Sequence, residues 1–195
     1  MVIFDRATNC FLLNGKRFSY AMFVNRAGFL QHLYYGKKIG AEDADYLVRG
    51  HGKKAEPDPN DPNMEMATDF MPSELGSFGR GDFRSATVVV RRGDGAAMSR
   101  FRYRSHNVVK GARPLTGMPC VRRADETLTI TLKDDFSETE IDLNYSVSDG
   151  SDVLVRSAAV RNAGSGTAEI LKAFSFCTQL PDTCGTYSAL RLAGA

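Results

Sequence analysis

Thr127-Leu128-Thr129-Ile130-Thr131-Leu132 places an apolar residue at every second position. A period of two sends Leu128, Ile130 and Leu132 to one face of an extended chain and the β-branched threonines to the other, the pattern of a half-buried strand. Glu140-Ile141-Asp142-Leu143-Asn144-Tyr145-Ser146-Val147 repeats the alternation, with its four polar residues on one side. The polar residues 133–139 between these runs have hairpin length, and Asp134-Asp135 and Glu138-Thr139-Glu140 read as its solvated tip.

The same grammar extends outward. Residues 153–161 read as a strand closed by Asn162-Ala163-Gly164-Ser165-Gly166, and residues 168–180 as an apolar strand closed by Pro181-Asp182. Upstream, Cys10-Phe11-Leu12-Leu13 and residues 18–24 flank Asn14-Gly15, which predicts a type I′ hairpin with positive φ at both central positions. Residues 29–35, 86–91 and 98–104 add further strands, the last two joined through Asp94-Gly95. With about ten strands at hairpin spacing and no stretch of helical period, the fold class is all-β, with antiparallel sheet packed on sheet. Residues 36–69, rich in proline, and residues 72–84, with glycines around Glu74, Asp82 and Arg84, break the rhythm and are expected to be irregular.

Composition narrows the function. In 195 residues, 43% are hydrophobic and 25% charged, and 25 Lys and Arg against 23 Asp and Glu leave a net charge of +2. That balance speaks against nucleic acid as a partner. In strand geometry Arg100, Arg102 and Arg104 share one face and Phe101 and Tyr103 the other, so this basic run is read as half-buried sheet. No apolar run reaches the ~20 residues of a membrane span, and the start lacks a secretory pattern. Cys10, Cys120, Cys177 and Cys184 are scattered, as expected of reduced thiols in the cytoplasm. Neither they nor His32, His51 and His106 show metal-ligand spacing, no phosphate loop ends in Gly-Lys-Ser/Thr, and no G-x-S-x-G is present, so no metal or cofactor is expected. Carboxylate pairs cannot be picked from sequence, because a glycosidase pair is defined by its separation in space.

One set of segments resembles a known family. Met71-Pro72-Ser73-Glu74-Leu75-Gly76-Ser77-Phe78-Gly79-Arg80-Gly81-Asp82-Phe83-Arg84-Ser85-Ala86 is similar to a motif of the N-terminal domain of microbial α-galactosidases of glycoside hydrolase family 36. The similarity runs in order through residues 28–37, Phe101-Arg102-Tyr103-Arg104-Ser105-His106, residues 110–119, Asp152-Val153-Leu154-Val155-Arg156-Ser157 and residues 175–182.

The resemblance implies a β-supersandwich, galactose mutarotase-like and incomplete at its C-terminal end, spanning residues 1–195 ahead of a catalytic (β/α)₈ barrel. The barrel carries both catalytic aspartates of a retaining reaction on melibiose- or raffinose-type α-galactosides. A barrel needs about 250 residues, so this chain is expected to hold no catalytic residue and to be inactive alone, with apolar faces and strand edges left open. The resemblance also implies a homo-oligomer, a tetramer, in which a loop within residues 44–61 approaches a neighbour's active site. His51, Glu74 and Asp82 are the substrate-contact candidates. Two other readings stay open: a stand-alone carbohydrate-binding or interaction module, and an aldose mutarotase, which would need His32 and His106 to converge with a carboxylate.

Overall fold

The computed structural model describes residues 1–50, 72–79, 85–117, 121, 123–174, 177 and 187–188. Its strands are β1 (Val2–Asp5), β2 (Cys10–Asn14), β3 (Phe18–Val24), β4 (Leu30–Lys37), β5 (Val88–Arg92), β6 (Phe101–Lys110), β7 (Glu126–Asp134), β8 (Thr139–Val147), β9 (Val155–Asn162) and β10 (Ala168–Ala173), with one helix, α1 (Ala41–Gly50). Two four-stranded antiparallel sheets run in chain order, β1-β2-β3-β4 and β6-β7-β8-β9, and β5 pairs with β10 in a third, two-stranded sheet. The all-β reading holds, with one helix added.

The alternation of β7 and β8 sets the interior. Leu128, Ile130, Leu132, Ile141, Leu143, Tyr145 and Val147 pack against Phe11, Leu13, Tyr20, Met22 and Leu30 of the facing sheet, and Val88 and Val90 join them. Each such aliphatic or aromatic side chain removed from water contributes about 1.5–3 kcal/mol before entropy is charged against it. The opposite face of β8 is not wet as its sequence suggests, because Asp142, Asn144 and Ser146 are also buried. Cross-strand bonds satisfy them: Thr127 Oγ1 with Ser146 Oγ at 2.8 Å, Thr129 Oγ1 to Asn144 at 2.8 Å and Thr131 Oγ1 to Asp142 at 2.7 Å. Arg113 and Arg161 reach over this ladder to Asn144 and Asp142.

Three sequence expectations change. Residues 41–50 form α1, not irregular chain. Glu42 and Asp43 lie in its first turn and Arg49 in its last, where they complement the helix dipole. Asp43 also accepts the Gly40 amide, and Arg49 pairs with Asp45 one turn back at 2.6 Å. Ala44 and Val48, four apart, seat α1 on Cys10, Leu12, Ala21 and Phe23, the outer face of the first sheet. The Asn14-Gly15 hairpin exists, yet neither residue takes positive φ. A Cβ on Gly15 would instead fall 2.1 Å from the Phe18 ring, so the glycine serves close packing. Asp134, assigned to a solvated tip, is fully buried and accepts from the Ser137 amide at 2.8 Å and its hydroxyl at 2.6 Å.

One stretch of open apolar surface lies on β10 and just after it. Ile170, Leu171 and Phe174 are each about half exposed.

Candidate functional site

Residues 72–79 cross the side of the sandwich between β4 and β9. His32 N donates to the Pro72 carbonyl at 2.7 Å and Glu74 N to the Leu30 carbonyl at 3.1 Å, so the segment extends the β4 edge for a few residues. That pairing turns Glu74 inward between the two sheets.

The Glu74 carboxylate is the centre of a buried polar cluster. Tyr20 Oη donates to both of its oxygens at 2.8 Å, and Tyr145 Oη donates to Oε1 at 2.7 Å. Arg156 Nη2 stands 3.3 Å from Oε1, and His32 Nδ1 stands 3.5 Å from Oε2. Tyr20, His32, Tyr145 and Arg156 come from β3, β4, β8 and β9, each from an inward-facing position of its strand. The Arg156 guanidinium also lies 5.4 Å from the Tyr145 ring centroid, and the Tyr20 and His32 rings are 4.9 Å apart.

Burial by itself raises the pKa of Glu74. The His32 ring, the Arg156 charge and the Tyr145 hydroxyl outweigh it and hold the carboxyl below the ordinary glutamate value. Burial, followed by the Glu74 charge, pushes Tyr145 well above the ordinary phenol value, so it remains a donor. For Arg156 burial opposes the charge, while Tyr145, Glu74 and Tyr20 raise its pKa and keep it cationic. An ionised carboxylate buried among these donors has no proton to give and is closed off from any ligand in solvent. Its chemical capacity is to bind four strands and the 72–79 segment together.

The three sequence candidates are therefore found in different situations. Glu74 is 1% exposed, inside the sandwich. His51 and Asp82 lie outside the described residues. The histidines of the mutarotase reading do not converge. His32 is on β4 beside Glu74, whereas His106 on β6 packs 4.3 Å from the Phe4 ring of β1, the opposite edge of the first sheet, and bonds Tyr103 Oη at 2.7 Å. Among the described residues no group of three or more His, Cys, Asp or Glu side chains gathers as a metal ion would require.

Tyr20, Tyr145 and Arg156 were not singled out from sequence as site residues, and His32 was named only in the mutarotase reading. One signal was available for Arg156: it shares the inward parity of Ala158 and Val160, and a cation at such a position requires a buried anion.

Comparison with known proteins adds the context for this cluster. Residues 28–195 match the model of the glycosyl hydrolase family 36 N-terminal domain. The bifunctional alpha-galactosidase/sucrose kinase AgaSK of Mediterraneibacter gnavus is 29% identical over 99% of this chain, which covers 21% of that protein. Alpha-galactosidase AgaA of Geobacillus stearothermophilus is 30% identical over 100% of the chain, covering 27% of its length. The crystal structure of the family 36 alpha-galactosidase AgaB from Geobacillus stearothermophilus superposes with a TM-score of 0.76 at 30% identity, across 90% of this chain and 24% of that one. The chain thus spans about a quarter of the relatives it matches.

Proposed function

We propose a function from one premise: the chain belongs to the glycosyl hydrolase family 36 N-terminal domain family. It serves as the non-catalytic β-domain of an α-galactosidase that hydrolyses terminal α-galactosides of the melibiose or raffinose type. The observation that carries this reading is the match of residues 28–195 to that domain, alongside relatives that are alpha-galactosidases several times longer. The chemistry belongs to the remainder of such a protein: one carboxylate attacks the anomeric carbon, a second protonates the departing oxygen, and water releases the galactosyl-enzyme with retained configuration.

The part played by this chain is support. Glu74 is a positioning residue that fixes the start of the glycine-rich segment leading to Asp82. Helix α1 is seated on the sheet through Ala44 and Val48, and His51, the next residue in sequence after it, hydrogen-bonds a sugar hydroxyl at a neighbouring subunit of a tetramer in this reading. The reduced Cys10 thiol fits a cytoplasmic enzyme; no helix of the described residues is long and apolar enough to cross a membrane.

Expression of the complete reading frame beside the chain alone tests this. A nitrophenyl α-galactoside should be hydrolysed by the complete product and not by the chain, and the complete product should sediment as a tetramer. Hydrolysis by the chain alone, or none by the complete product, overturns the assignment.

A further inference from the structure

Three turns meet on one side of the molecule. The turn after β5 brings Arg92 and Asp94, the β7–β8 hairpin brings Phe136, Ser137 and Glu138, and the β9–β10 turn brings Ser165; they bound a cleft of about 380 Å³. None of these residues takes part in the Glu74 cluster.

The cleft is built rather than incidental. Arg92 grips Asp94 through Nε and Nη2 at 3.2 and 2.8 Å, and the Asp94 carboxylate accepts the Ala96 amide at 2.9 Å. Buried Asp134 ties down the hairpin through the amide and hydroxyl of Ser137. Glu138 holds a left-handed backbone, with φ of 56°, which non-glycine residues adopt only uncommonly. A Cβ on Gly164 would come within 3.1 Å of the Ser137 carbonyl and 3.4 Å of Glu138 Cβ, so the third turn is pressed onto the second. The walls are preorganised, which lowers the entropy cost of capturing a ligand.

Its chemistry selects a class of ligand. Phe136 is 42% exposed, with the Arg100 guanidinium 5.0 Å from its ring centroid, and offers an apolar platform to the C–H face of a ring. The charges that line the cleft are mixed: Arg92 is paired with Asp94, and Glu138 is paired from outside the lining by Lys133 at 3.1 Å. An anion would meet Asp94 and Glu138, and a cation Arg92. A neutral polyol suits both, because each carboxylate accepts about four hydrogen bonds and keeps lone pairs for hydroxyls. The volume lies in the range of small-ligand sites, about 300–1,000 Å³, with room for about one or two sugar rings.

The geometry points to a saccharide-binding cleft formed by these three turns, a site for neutral oligosaccharides carried by this chain itself.

Titration of the isotope-labelled chain with raffinose, followed through its amide resonances, tests the assignment. The amides of Asp94, Ser137, Glu138 and Ser165 should shift progressively at millimolar sugar, and glycerol at equal concentration should not move them. Phe136→Ala should weaken binding about tenfold, and Ser165→Tyr, which fills the cleft from an exposed position, should do the same while the rest of the spectrum is retained. No shift up to the solubility of raffinose, shifts reproduced by glycerol, or shifts unchanged in both variants would each overturn the cleft. Galactosidase activity enters none of these outcomes, so this site and the proposed function stand or fall separately.

Discussion

Arg156 and Glu74 meet twice: the guanidinium Nη2 lies 3.3 Å from Oε1 of the carboxylate and donates to the Glu74 backbone carbonyl at 2.9 Å. One contact neutralises the buried charge, and the other pins the backbone that presents it. Removing the arginine alone leaves an uncompensated anion in the interior. Arg156→Met should therefore lower unfolding free energy by about 3–5 kcal/mol, whereas the double variant Arg156→Met/Glu74→Leu should cost clearly less than the sum of its singles. Urea unfolding of the four proteins of this cycle reads the coupling. Strict additivity would mean that the two side chains act independently.

Acid should act through the same carboxylate. Burial raises the Glu74 pKa, but His32, Arg156 and Tyr145 bring it below the ordinary glutamate value. A pKa lower in the folded than in the unfolded state means that the unfolded chain binds the extra proton, so stability rises with pH between the two values. The Glu74 contribution is fully present above the unfolded-state value and is lost as pH falls through the folded-state value. Unfolding free energy measured from neutral pH into acid should fall more steeply for the native chain than for Glu74→Gln. Parallel curves would remove Glu74 from the acid response.

Cys10 should be inert while the fold is intact. Burial, then the charges of Asp5 and Asp45, push its thiol up to about 12, and it is 3% exposed beneath α1. Alkylation proceeds through the thiolate, which is scarce under these conditions. Mass spectrometry after iodoacetamide at mildly alkaline pH should find the Cys10 peptide unmodified in the native chain and modified in urea. Ala44→Gly, which loosens the helix over it, should speed native labelling by a measurable factor. Equal labelling with and without urea would show that the thiol is not covered.

The β7 and β8 strands were legible because each carries its own alternation, and Leu128, Ile130, Leu132, Ile141, Leu143 and Tyr145 all face inward as that alternation requires. Helix α1 was not legible. Proline-rich chain follows it, and only Ala44 and Val48 mark its buried face, while Tyr46 points to solvent with 77% exposure. The burial of Asp142 and Asn144 was hidden for another reason: it depends on Thr131, Thr129, Arg161 and Arg113 from other segments. The cluster around Glu74 has the same character. The family motif marked Glu74, but its partners Tyr20 and Tyr145 lie 54 and 71 residues away, and nothing local announces them.

The two glycine turns that looked alike in sequence should respond to alanine for different reasons. At Gly15 the backbone is ordinary, but a Cβ would stand 2.1 Å from Phe18 Cε1 and 2.8 Å from the Ser151 carbonyl, and that carbonyl accepts the Lys16 amide at 2.9 Å. Gly15→Ala must displace a buried aromatic ring and the neighbouring turn, an overpacking cost of about 1–3 kcal/mol. At Gly95 nothing lies within 4 Å, yet φ is +85°. Gly95→Ala pays only for backbone conformation, about 1 kcal/mol. The second substitution separates the mechanisms: Gly95→Asn should recover most of the Gly95→Ala loss, because asparagine tolerates the left-handed region, whereas Gly15→Asn should be worse than Gly15→Ala because its side chain is larger. Thermal unfolding of the four variants gives the order. A Gly15→Asn variant as stable as Gly15→Ala would show that Phe18 yields freely and that the close approach is not what the glycine serves.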